Sequence, residues 1–120
     1  MPNDDNHGNS KQDEIPLIER LKAYQHIIRR WAGHLKASEF MVAMTILDRS
    51  VGWGNKEVRI SRSQFLHGNE MYSGLNMSKS TLKRALKRLK DIGLIEVVEE
   101  GYGRKTTVYR MNYQLEPKDD

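Results

Sequence analysis

Between Ser78 and Lys90 the chain carries six cations, Lys79, Lys83, Arg84, Lys87, Arg88 and Lys90, and no acid. Lysine and arginine at that density suit phosphates, because each neutralised phosphate releases counterions condensed around a nucleic acid. Asn76, Ser78, Ser80 and Thr81 add short polar side chains at the start of the same stretch, able to bond phosphate oxygens or base edges. Arg84 is the residue best suited to a guanine, since its planar fork matches the O6/N7 edge. Elsewhere, Arg62 fits a phosphate contact, and Tyr102, Arg104 and Lys105 form a basic, aromatic tip fit for flanking backbone or minor groove.

Other chemistries find little support. There is no cysteine, so disulfides, thiol nucleophiles and cysteine-ligated zinc are excluded. His7, His26, His34 and His67 lack ligand spacing around a common carboxylate and read as solvated or packing residues. Ser61, Ser63, Ser78 and Ser80 are better explained as helix caps and phosphate donors than as nucleophiles. No Gly-x-x-x-x-Gly-Lys-Ser/Thr loop exists to hold a nucleotide. The expectation is a non-enzyme with no catalytic residue, metal or cofactor.

The charge is unevenly spread. Residues 59–110 hold eleven basic side chains against five acidic, whereas 1–14 and 111–120 are both net acidic. Such asymmetry points to a polyanionic partner. At 120 residues, with 38% hydrophobic residues, the chain has material for one packed domain. We expect flexible acidic tails at 1–14 and 114–120 around a domain at 15–113. No apolar run approaches the ~20 residues of a bilayer span, so no membrane association is expected.

The elements that must position these residues follow from spacing. A first helix is expected from Pro16, which suits a first helical turn, to Trp31 or Ala32. Leu17, Leu21, Tyr24, Ile28, Trp31 and Leu35, widened by Ile18 and Ile27, form an apolar seam. That seam either packs on the core, the favoured reading, or pairs two copies into a homodimer. Ser38 reads as the cap of a second helix with Phe40, Ala43, Met44, Leu47 and Val51 at helical spacing, ended by Gly52-Trp53-Gly54-Asn55-Lys56. Trp31 and Trp53 read as core or corner packing.

Glu57 to Ile60 alternates like a short strand. Ser61 and Gln64 have capping-box spacing for a short helix that stops near Gly68. Ser78 caps the basic helix, whose stripe Leu82, Ala85, Leu86, Leu89 and Ile92 turns inward before Gly93. Leu94–Glu99 and Thr106–Asn112 read as strands around a tip at 100–105.

This order describes an α+β, mainly helical chain: a winged helix-turn-helix with an additional N-terminal helix. In such a fold the short helix crosses the DNA backbone, the next helix enters the major groove and the wing lies beside it. The run from Ala37-Ser38-Glu39 to Leu47, then Gly52-Trp53-Gly54-Asn55-Lys56-Glu57-Val58-Arg59-Ile60-Ser61 through Phe65, resembles the N-terminal domain of the phage replication protein O family. There a helix runs into a Gly-Trp-x-x-Lys-x-x-x-Ile-Ser segment. The stretch from Gly74 to Thr81, with Gly93-Leu94-Ile95, is similar too, in a pattern shared by many winged-helix regulators.

The resemblance spans about residues 35–113. It implies a sequence-specific binder of double-stranded origin or operator DNA from a phage or plasmid. It also implies a cytoplasmic, nucleoid-associated setting in a bacterial host and contact with replication or transcription machinery. A small repressor of a mobile element, and a winged-helix module that meets an acidic protein, are the alternatives.

Overall fold

The computed structural model describes residues 14–101 and 106–118. Within them lie four α-helices and a three-stranded antiparallel sheet, in the order α1 (Leu17–His26), α2 (Ala37–Arg49), β1 (Glu57–Ile60), α3 (Arg62–His67), α4 (Lys79–Asp91), β2 (Ile95–Glu99) and β3 (Thr107–Met111). This is an α+β fold. The sheet order is β1-β3-β2: β3 forms the centre, with Val58 opposite Tyr109 on one side and Val97 opposite Tyr109 on the other.

The core forms where α2, α4 and the sheet meet. Val42, Ala43, Ile46 and Leu47 of α2 are buried with Leu82, Ala85, Leu86 and Leu89 of α4. Phe65 of α3 closes this core edge-on against Tyr109, with ring centroids 5.9 Å apart. Burying each large apolar side chain stabilises by about 1.5–3 kcal/mol, so the stripe on α4 holds that helix firmly in place.

The local signals of the basic helix and of the short helix before it work as expected. Ser61 Oγ accepts from the Gln64 N–H at 3.0 Å while Gln64 Oε1 accepts from the Ser61 N–H at 2.9 Å, starting α3. Gly68 ends α3 at φ +73°, and a Cβ there would meet the Tyr72 carbonyl oxygen, so only glycine fits the turn. Ser78 Oγ accepts from the Thr81 N–H at 3.1 Å and starts α4, which gives way at Gly93.

Three expectations are corrected. The first helix is regular only to His26; Ile27–Trp31 forms a π turn and Ala32–His34 a 3-10 turn. A wider turn lines up side chains four apart, so Ala23, Ile27 and Trp31 all face inward. As a result the buried line of α1 and the π turn after it is Ala23, Ile27 and Trp31, with Ile15 just before it, and much of the expected seam lies outside: Leu17, Ile18, Leu21 and Ile28 are exposed. The inward face is chosen by polar partners and a small contact residue. Tyr113 donates to Glu19 at 2.6 Å, Trp31 Nε1 donates to the Leu115 carbonyl at 2.8 Å, and Ala23 permits close approach.

The second correction concerns the start of α2. The helix begins at Ala37 rather than after Ser38, because Glu39 accepts from the Lys36 N–H at 2.8 Å and moves the cap two residues upstream. Third, Trp53 is exposed and stands at a surface corner, its indole N–H donated to the Tyr72 hydroxyl at 2.7 Å. The segment after β3 is also held down. Besides Trp31, His26 Nε2 lies 2.7 Å from the Leu115 carbonyl oxygen, and Arg30 pairs with Glu116 at 2.8 Å.

Candidate nucleic-acid interface

Helix α4 begins with free backbone N–H groups, one of them capped by Ser78, and it carries no acid in its first turn. Around a helix with 3.6 residues per turn, the buried stripe Leu82, Ala85, Leu86 and Leu89 leaves Ser80, Arg84, Lys87 and Asp91 on the opposite ridge. Lys83 flanks that ridge on one side and Arg88 on the other, while Lys79 and Lys90 lie closer to the protein surface. All six cations are exposed.

Their pairing differs along the ridge. Lys87 Nζ lies 2.9 Å from Asp91 Oδ2, an exposed pair one turn apart. Lys79, Lys83, Arg84, Arg88 and Lys90 make no ion pair among the described residues. The N-terminal half of the ridge is thus uncompensated positive charge, and the C-terminal half is partly neutralised. Around the cap, Ser78 Oγ lies 3.0 Å from Thr81 Oγ1 and 3.2 Å from Ser80 Oγ. Arg84 Nη2 donates to Thr81 Oγ1 at 3.4 Å, which draws its guanidinium toward the start of the helix.

The remaining candidates fall into two groups. Asn76 is exposed two residues ahead of the Ser78 cap, so the structure brings Asn76, Ser78, Ser80, Thr81 and Arg84 to one end of α4. Arg62 opens α3 and is exposed, its charge near enough to Tyr109 of β3 to lower that phenol against the larger upward push of burial. It stands toward the sheet. Tyr102, Arg104 and Lys105 lie outside the described residues.

The flanks of that hairpin are acidic. Glu96, Glu99 and Glu100 are exposed on and after β2; Glu99 lies 3.5 Å from Arg59, and Glu57 pairs with Arg110 across the sheet. These cross-strand pairs use the two arginines of the sheet face internally. Of α4 and the described part of the sheet, α4 is therefore the element that offers free cations in quantity, and the strands leading to the tip oppose a phosphate backbone rather than attract it.

Sequence reasoning missed one surface, the outer face of α1. Its signal was present in the seam itself, but an apolar seam does not say which way it points. A cleft between α1 and the C-terminal segment, bordered by Glu19, Lys22, His26 and Tyr113, is a second feature not foreseen. Its polar groups are largely engaged with one another, Tyr113 with Glu19 and His26 with Leu115. No helix among the described residues is long and apolar enough to cross a membrane. No family model, curated protein or solved structure matches this chain.

Proposed function

We propose that this chain binds double-stranded DNA in a sequence-specific manner as a winged helix-turn-helix protein of the phage and plasmid replication type, at an origin or an operator. The observation that carries this reading is the division of α4: an apolar stripe engaged by α2, α3 and the sheet, and an outer side on which Lys83, Arg84 and Arg88 have no ion pair among the described residues, beside a hydroxyl-rich N-terminus. A helix of that width fits the major groove. In this reading Ser80, Arg84 and Lys87 point to the base edges. Lys83 and Arg88, on opposite flanks, take phosphates of the two groove walls.

Helix α3 crosses the backbone with Arg62, and the β2–β3 hairpin is the wing, carrying Tyr102, Arg104 and Lys105 to the neighbouring minor groove. The acidic flanks of that hairpin keep its stem off the phosphates, so any wing contact is confined to the tip. The setting is the bacterial cytoplasm near the nucleoid, with replication or transcription machinery as further partners. A homodimer through the N-terminal helix would present two copies of α4 to two half-sites.

The test is selection of duplexes from a random library at near-physiological salt, followed by sequencing of the bound fraction. An enriched motif is expected, with binding abolished by charge reversal at Lys83 and Lys87. Retention of every sequence alike would reduce the reading to generic phosphate affinity. Binding undiminished by the reversals would put the DNA on another face.

A further inference from the structure

Beyond α4 the chain holds a second run of cations. From Leu21 to Ser38 it carries Lys22, Arg29, Arg30 and Lys36, with His26 and His34, and no acid. The run passes from the middle of α1 through the π turn (Ile27–Trp31) and the 3-10 turn (Ala32–His34) into the first turn of α2. Lys22, Arg29, Arg30, His34 and Lys36 are exposed, whereas Ile27 and Trp31 of the same bend are buried. The packing of those two apolar side chains leaves the arginines on the outside.

Little of this charge is neutralised by the described residues. Glu116 lies 2.8 Å from Arg30 and 3.7 Å from the His26 ring, so that acid is spent there, and exposed Lys118 follows it on the same segment. Lys22, Arg29 and Lys36 make no ion pair among the described residues. Glu39, the next acid along the chain, is buried and accepts from the Lys36 N–H as part of the α2 cap. Ala32 and Gly33 at the crest of the bend are exposed, and a Cβ added to Gly33 would meet nothing within 4 Å. A low crest flanked by Arg29, His34 and Lys36 admits a row of phosphates with cations on both sides of it.

Packing places this bend at one end of α4. Gly93, which ends α4, stands against Leu115, whose Cδ2 lies 3.7 Å from where a Cβ on Gly93 would be. The Leu115 carbonyl in turn accepts from Trp31 Nε1 at 2.8 Å. The bend therefore sits beside the C-terminal end of α4, away from the hydroxyl-rich start. Near that end Arg88 is exposed without an ion pair among the described residues, and Asp91 is held by Lys87. Cations spread over two elements in this way suit a duplex, which presents a charge about every 1.7 Å of its axis, better than the scattered carboxylates of a protein surface.

We propose that the bend from Arg29 to Lys36 is a second phosphate-binding surface, which holds the backbone of the same duplex where it leaves α4. In this arrangement, which rests on the DNA reading of α4, the bend adds affinity and not sequence preference. Arg29, His34 and Lys36 take the phosphates, while Arg30 stays tied to Glu116.

The test is duplex binding by the full chain over a range of salt, with Arg29→Gln and Lys36→Gln combined in one protein. Both side chains are exposed, so thermal unfolding should not change. Affinity should fall on the order of tenfold at near-physiological salt, equally for a selected motif and a scrambled duplex, and the slope of log K against log salt should shrink by about 2. Lys56→Gln, at an exposed lysine of the Gly54 corner, controls for net charge and should leave the slope unchanged. Parent-like affinity and slope in the double variant, or an equal loss per charge in Lys56→Gln, overturns the proposal. The two surfaces fail separately. Binding that survives Lys83→Glu with Lys87→Glu, and is abolished only when Arg29→Gln and Lys36→Gln are added, removes α4 as the DNA surface and keeps the bend. Binding abolished by the α4 reversals but unchanged by the double variant keeps α4 and removes the bend.

Discussion

Helices α1 and α4 each bury one face and leave the other to solvent, but α4 leaves cations and α1, with the π turn that continues it, leaves Leu17, Ile18, Leu21 and Ile28. On α4 the apolar residues point in and the charges point out, so its solvated face costs nothing in water and waits for a polyanion. On α1 the line that packs is built around the small Ala23, and much of the larger apolar surface is left outside. An amphipathic pattern thus identifies two faces of a helix. Which face is inside is decided by the contacts available to it.

The comparison is tested most severely by one substitution in both helices. Leu89→Ala, in the buried stripe of α4, should cost about 2–5 kcal/mol in urea unfolding. Leu21→Ala on α1 should stay within about 0.5 kcal/mol in dilute protein. Equal losses would mean that α1 is packed the other way round.

The outer face of α4 is probed next. Arg84→Ala should lower affinity by about 1–3 kcal/mol at a single base position if Arg84 reads a base. A uniform loss over all bases there would make it a phosphate contact. Ser78→Ala removes the cap that accepts from the Thr81 N–H and should destabilise by about 1 kcal/mol, measured by thermal unfolding. Asp91→Asn removes the acid that holds Lys87 on the ridge, so DNA affinity should rise a few-fold at low salt and converge with the parent as salt is added. A fall in affinity would place Asp91 away from the phosphates.

The smallest effect belongs to the anchor of α1. Burial, followed by the hydrogen bond to Glu19 and the charge of that carboxylate, pushes the Tyr113 hydroxyl from 10.0 up to about 12. Because the neutral phenol is the form that is bonded, its folded value is raised. The contribution to stability is therefore complete below about pH 10 and is lost as pH rises through about 12. Ultraviolet titration of tyrosinate should show this late phenol, and Tyr113→Phe should remove it. Glu19→Gln should bring the late phase only part of the way down, because burial is the larger cause of the shift.

Much of the architecture was legible because its signals are local. Ser61 with Gln64, Ser78 before the basic run, and glycines at 68 and 93 each set a helix end through groups a few residues apart. The α4 stripe was legible for a related reason: with Lys and Arg filling the rest of the helix, only one face could enter a core. The start of α2 was misread because Glu39, three residues after Lys36, competes with Ser38 for the cap. The outward turn of α1 was not legible at all, since it depends on Tyr113 and Leu115, which lie more than eighty residues away in sequence.

By itself, then, the sequence determined most of the segments, the caps of α3 and α4 and the one helix face that charge forbids from burial, because each rests on neighbours along the chain. The tertiary structure decided the rest: that Lys87 is engaged by Asp91 while Lys83 and Arg84 are not, that the acids of β2 flank the hairpin, and that α1 turns its leucines outward. Those outcomes depend on which surfaces meet. A helix with apolar residues on two sides has no local reason to prefer either, and the partner that arrives at one of them settles the matter.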